Sequence, residues 1–204
     1  MRHTPWRETF QWGDVLLNHL TIIFWTLAYV IIVLCGIQNR KTPLLYMPLL
    51  AGSLNFAWEV NALFLSNVFY GHVLWAVLDI FIIIHNVRFL EKSKRIKYLL
   101  FIAVLTFAMY GIFRIPNIDG QKISSFLLDL IMAVEYVLYA KRIAPQGRIS
   151  VGVLMFLGDL FAWLAYMQNS VFVTVCGLIV LLLKLFYLAI CLEQNSHNRK
   201  KVQR

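Results

Sequence analysis

The stretch LLYMPLLAGSLNFAWEVNALFL, residues 44–65, decides how the whole chain is read. A helix needs about 20 mostly apolar residues to cross a hydrocarbon core about 30 Å thick, and this run is long enough. Yet it carries Glu59, with Trp58 beside it and Asn55 one helical turn earlier. A charge at bilayer depth costs about 2.5–3.5 kcal/mol on insertion scales, so such a group faces a bundle interior or a cavity. One span of this kind implies others that enclose it.

The rest of the chain supplies them. Of its 204 residues 60% are hydrophobic and 14% charged. Soluble domains run at about 45–50% apolar and about 25% charged, so the apolar length here is spread through a membrane protein. Apolar runs of spanning length fall at about 15–36, 43–66, 69–90, 98–115, 122–140, 149–167 and 170–192. The expected fold is all-α, a compact seven-transmembrane-helix bundle forming a single domain, with 193–204 as a basic tail. The expected location is an integral, multi-pass position in a cell membrane or the endoplasmic reticulum. The polar, aromatic first fifteen residues, followed by a run too long for a signal h-region, predict no cleavable leader. Halves of the chain do not repeat one another, and only Pro48 lies well inside a span, which speaks against an inverted-repeat transporter.

The net charge of +9 does not point to nucleic acid, because the basic residues lie between the apolar runs and form no basic and aromatic face. They sort by side of the membrane instead. The links after spans 1, 3 and 5, together with the tail, hold fourteen Lys and Arg; the opposite side holds four. The positive-inside rule then places the N-terminus outside and the C-terminus in the cytoplasm. The three cysteines, Cys35, Cys176 and Cys191, lie in apolar runs without metal-ligand spacing and read as small apolar fillers.

Five carboxylates fall within spans, Glu59, Asp79, Asp129, Glu135 and Asp159, and one base, Lys184. Counting residues from the span ends puts Glu59, Asp79, Asp129 and Asp159 in the central-to-outer layer, with Glu135 and Lys184 deeper. Helical spacing adds companions on the same faces. Asn55 and Trp58 accompany Glu59; His72, Trp75, Asp79 and Asn86 form one stripe; Tyr136 follows Asp129; Trp163 and Tyr166 follow Asp159. An acid with an aromatic ring a turn away thus recurs on several helices. Burial favours the neutral acid, so Glu59 is expected to carry its proton. A protonated acid among aromatic faces can give that proton to a weak base and stabilise the resulting cation. Lys184 is expected to pair with a buried acid, Glu135 or Asp159.

Two motifs carry a resemblance: N-x-x-W-E in span 2 (Asn55, Trp58, Glu59) and W-x-x-x-D in span 3 (Trp75, Asp79). Over residues 50–90 the chain resembles the small seven-span integral-membrane terpene cyclases of meroterpenoid and indole-diterpene pathways. The resemblance implies proton-initiated cyclisation of a prenyl epoxide or polyene, with Glu59 as the initiating acid and Asp79 and Asp159 as further catalytic carboxylates. Asn55, Trp58, Trp75, Asp129, Tyr136, Trp163 and Tyr166 would line the path of the substrate and its cation. The implied partners are a hydrophobic terpenoid substrate and membrane lipid. No metal and no cofactor are implied, since no diphosphate is ionised, and the sequence has no DDxxD-like cluster. The chain departs from the family at span 7, where Lys184 stands at the depth of an expected acid. Either Asp159 or Asp79 substitutes there, or the chemistry differs.

Two other classes compete. In a non-catalytic membrane module, such as a small transporter, lipid-binding protein or assembly partner, the buried acids would be proton relays or structural pairs. A retinal protein would use Lys184 for a Schiff base and Asp79 as counterion, but Val180 stands where that family would place an acid.

Overall fold

A computed structural model describes residues 5–38, 49–63, 69–115, 120–141, 147–167 and 170–202, and every regular element among them is a helix. In order these are α1 (Pro5–Gln38), α2 (Leu49–Ala62), α3 (Phe69–Val87), α4 (Lys92–Phe113), α5 (Gly120–Tyr139), α6 (Arg148–Tyr166) and α7 (Val171–Val202). The chain is an all-helical bundle, and each helix falls on one of the seven expected spans. Five of them, in α1, α3, α4, α6 and α7, are long and apolar enough to cross a membrane. Of the others, α2 is short, at 14 residues, and α5 carries Lys122, Asp129 and Glu135. The outer parts of expected span 2, including Pro48, lie outside the described residues.

The expected basic tail is helical as far as Val202. Residues 193–202 continue α7 as helix, because LEQNSHNRKKV contains neither Gly nor Pro to stop it. At 1.5 Å per residue the 32-residue α7 is about 48 Å long, well beyond one hydrocarbon thickness.

The helices close into a ring. α1 packs along α6 and touches α3; α3 meets α2, α2 meets α4, α4 meets α5, and α7 joins α5 to α6. Short α2 also touches α5 across the ring, so its residues are central. Contacts between helix ends show that helices consecutive in the chain alternate in direction, while the ring neighbours α2 and α4 run parallel. At one end Ser53 on α2 donates to Tyr98 on α4 at 2.7 Å, and Arg148 on α6 donates to Gln194 on α7 at 2.5 Å. At the other end Trp58 on α2 reaches Ser124 on α5, and Trp163 on α6 reaches Thr174 on α7. Gly120 opens α5 there, and a Cβ on it would sit 2.2 Å from the Ile112 carbonyl oxygen of α4. Only glycine lets those two backbones come so close.

The surface is inside-out by the standards of a protein in water. Phe107 is 80% exposed, Leu138 70% and Val171 81%, in company with Leu16, Phe81 and Leu182. Each such side chain forgoes about 1.5–3 kcal/mol of burial unless lipid covers it. Meanwhile Glu59, Asp79, Asp159 and Lys184 are buried. The protein is membrane-embedded.

Orientation can be checked at the basic turn. A single cysteine introduced at Ser93, in a background lacking Cys35, Cys176 and Cys191, is expected to resist an impermeant maleimide applied outside intact cells. Ready labelling from outside would reverse the topology that the charge bias assigns.

Candidate functional site

The apolar stripes turn inward and leave a two-part cavity between α1, α2, α3, α5 and α6. An outer lobe of about 410 Å³ opens at the end where α3 and α5 begin, with Asn18, Gln121, Lys122 and Tyr166 around it. A deep lobe of about 80 Å³ is lined by Trp25, Tyr29, Asn55, Glu59, Asp129 and Met132, among others. Thr21, Trp58, Trp75, Ser125 and Ala162 line both lobes and form the neck between them.

Glu59 reaches this cavity from the central helix α2. Its Oε2 shares a hydrogen with Nδ1 of His72 on α3 at 2.6 Å, and both groups are buried. The imidazole stands edge-on to two indoles, with centroids 5.3 Å from Trp58 and 5.8 Å from Trp75. Both indoles are fixed by their own N–H groups. Trp58 donates to Ser124 Oγ and Trp75 to Thr26 Oγ1, each at 3.0 Å. Aromatic faces held this way need no reorganisation when a cation forms beside them.

Asn55 shares the Glu59 face of α2, and its amide turns to a different acid. Asn55 Nδ2 donates to Asp79 Oδ2 at 2.7 Å and also to the Tyr29 hydroxyl. Asp79 is fully buried, lies within electrostatic reach of Glu59, and is not among the residues lining either lobe. A residue at i−4 shares a helix face, but its amide chose the acid across the α2–α3 interface. His72, seven residues before Asp79 on the same stripe, holds Glu59 instead.

The expected buried pair exists, and its acid is Asp159. Lys184 Nζ on α7 forms an ion pair with Asp159 Oδ2 on α6. Trp25 on α1 donates its indole N–H to the other oxygen, Oδ1, at 3.0 Å, and the ammonium lies 4.4 Å from the Trp25 ring centroid. The Lys184 ammonium therefore reaches the level of the Asp159 carboxylate. The close approach depends on Gly158, where a Cβ would stand 2.5 Å from the Trp25 ring. Asp79, the counterion in a retinal reading, does not meet Lys184 but bonds Asn55.

The remaining expected lining residues divide. Asp129 lies on the wall of the deep lobe, within electrostatic reach of Asp159 and Lys184, and Tyr166 on the outer lobe. Trp163 is not among the lining residues: its N–H goes to the Thr174 carbonyl at 3.0 Å, and a Cβ on Gly177 would meet its ring. Tyr136 is likewise core, its ring 5.7 Å from that of Tyr187. Glu135 is half-buried on α5.

Sequence reasoning missed Trp25, Tyr29 and Ser125. Thr21, Trp25 and Tyr29 recur every four residues, a stripe legible in span 1 but without an acid to mark it. Among the described residues no cluster of His, Cys, Asp and Glu could hold a metal ion, and Cys35, Cys176 and Cys191 are not joined in disulfides. No protein-family model, curated protein or solved structure matches this chain, so the geometry of the cavity is the ground on which its function is read.

Proposed function

We propose that this chain is a multi-pass membrane enzyme that cyclises a prenyl chain by proton donation, in the manner of the integral-membrane terpene cyclases that its N-x-x-W-E and W-x-x-x-D motifs resemble. One observation carries the reading: a buried carboxyl, Glu59, in a small lobe walled by the indoles of Trp25, Trp58 and Trp75. A prenyl tail enters through the outer lobe and lays its terminal epoxide or alkene in the deep lobe. The Glu59 O–H bond breaks and its proton goes to the epoxide oxygen or the terminal alkene carbon. The C–O bond opens, or the π bond is spent, as the next double bond attacks. The indole faces stabilise the cation as it moves along the chain.

The reaction closes when a base removes a proton beside the last cation. Asp129 stands on the same lobe wall, and in this reading it takes that proton. Asp159, expected as a catalytic carboxylate, is engaged by Lys184 and Trp25. The lysine in the last helix thus comes with its own counter-acid, and its presence leaves Glu59 and Asp129 for chemistry. Asp79 holds Asn55 and Tyr29 beneath Glu59, a supporting role.

The test is turnover. Membranes containing the protein are given epoxidised farnesyl and geranylgeranyl conjugates, and unepoxidised polyenes, and products are separated by chromatography with mass detection. Cyclisation yields an isomer of unchanged mass and altered retention. Failure of the folded parent to convert any prenyl epoxide or polyene would transfer the site to the non-catalytic reading, in which the acids serve as relays and structural pairs.

A further inference from the structure

The two lobes divide the acid from its water. His72 lines the outer lobe, Glu59 lines the deep lobe, and their side chains meet at 2.6 Å. The neck that joins the lobes is formed by Trp58, Trp75, Thr21, Ser125 and Ala162. A prenyl chain whose reactive end is at Glu59 must run through that neck and displace water from it. Glu59, once it has given up its proton, then faces an apolar ligand on one side and an imidazole on the other.

We propose that His72 is the proton port of this site, carrying protons between water in the outer lobe and the carboxyl of Glu59. The proposal rests on the reading of Glu59 as the proton donor and adds the residue that reloads it. The step balances simply. The Nδ1–H bond of an imidazolium breaks and an O–H bond forms at Glu59 Oε2. The ring becomes neutral, the carboxylate becomes an acid, and a hydronium ion in the outer lobe returns a proton to the ring and becomes water. The final deprotonation leaves one proton on Asp129, which passes it to water, so none is consumed overall.

The surroundings suit an exchangeable imidazole. From α2 it faces Glu59. From α5 the charged group on the same lobe is Lys122, whose ammonium lies 5.4 Å from the Tyr166 ring centroid. α1 contributes the neutral Asn18 and Thr21, α6 contributes Tyr166, and α4 presents Phe113 behind Trp58. The edges of Trp58 and Trp75 fix the ring without taking its Nδ1 hydrogen bond. An imidazole has two ring nitrogens, so one can face Glu59 while the ring also meets the outer lobe.

The experiment reads Glu59 directly and needs no substrate. In lipid nanodiscs the protonated Glu59 carboxyl is identified as the infrared C=O band lost in Glu59→Gln, and its shift is followed after a jump into deuterated buffer. His72→Gln is expected to slow that exchange by about 10²-fold, the low end of what a positioned acid–base group contributes. His72→Asn, which can still hydrogen-bond Glu59, should do the same, and added imidazole should restore exchange in His72→Ala. Exchange as fast as the parent's in either folded variant overturns the proposal. If both misfold, the parent decides: isotope-labelled His72 should change protonation with the Glu59 band after a pH step, and a band that moves without it refutes the port. Slowed exchange alongside no turnover of any prenyl epoxide would keep the port and remove the cyclase reading. Turnover with unchanged exchange would do the reverse.

Discussion

Glu59→Gln is expected to lower turnover of a prenyl epoxide by about 10²–10⁴-fold, the range a positioned general acid contributes, with little change in KM. Glutamine keeps the shape of the side chain and can still hydrogen-bond His72, but it has no acidic proton to give. On the proposed function the substrate's binding contacts fall on Trp25, Trp58, Trp75 and the outer lobe, none of which the change removes. The loss therefore belongs to kcat, because the missing interaction exists only as the proton moves. Steady-state kinetics on the folded variant check this. Undiminished turnover in Glu59→Gln would assign the proton to another acid.

Lys184→Met should be the most destabilising single change in the bundle. It leaves Asp159 buried with an indole N–H as its remaining partner and no positive charge beside it. Removing one member of a buried ion pair costs about 3–5 kcal/mol, because the other charge stays desolvated. The double variant Lys184→Met with Asp159→Asn removes both charges and should recover much of the loss. Thermal or denaturant unfolding in detergent measures both. Stability equal to the parent's in Lys184→Met would mean that the pair contributes nothing to the fold.

The positions of the helices were legible because hydrocarbon imposes its own length on any spanning segment. Each of the seven helices overlaps an apolar run. Arg88, Lys92, Arg114 and Arg148 stand at ends of α3, α4 and α6, and α1 and α7 extend about ten residues beyond their runs. The choice of partner was not legible. Spacing correctly put Asn55 on the Glu59 face and Trp163 on the Asp159 face. However, a helix face is broad, and each side chain took the acceptor offered by whichever helix packed there. Asn55 turned to Asp79 on α3, and Trp163 to a carbonyl of α7. His72 shows the same limit from the other side. Its place on the Asp79 stripe was plain, while its contact with Glu59 depends on how α2 and α3 meet. Lys184 shows that charge arithmetic narrows such choices: a buried cation required an acid, and Asp159 was one of two candidates.

The Asp159–Lys184 pair also bears on how the chain enters the membrane during synthesis. Its members sit on consecutive helices, α6 ending at Tyr166 and α7 beginning at Val171. Threaded singly, each helix would present a charge to lipid at about 2.5–3.5 kcal/mol. Delivered together as a helical hairpin, they can neutralise one another before either leaves the translocon. The end of the chain is then a unit of biogenesis, and α6 made without α7 should be retained or degraded before it becomes a membrane helix.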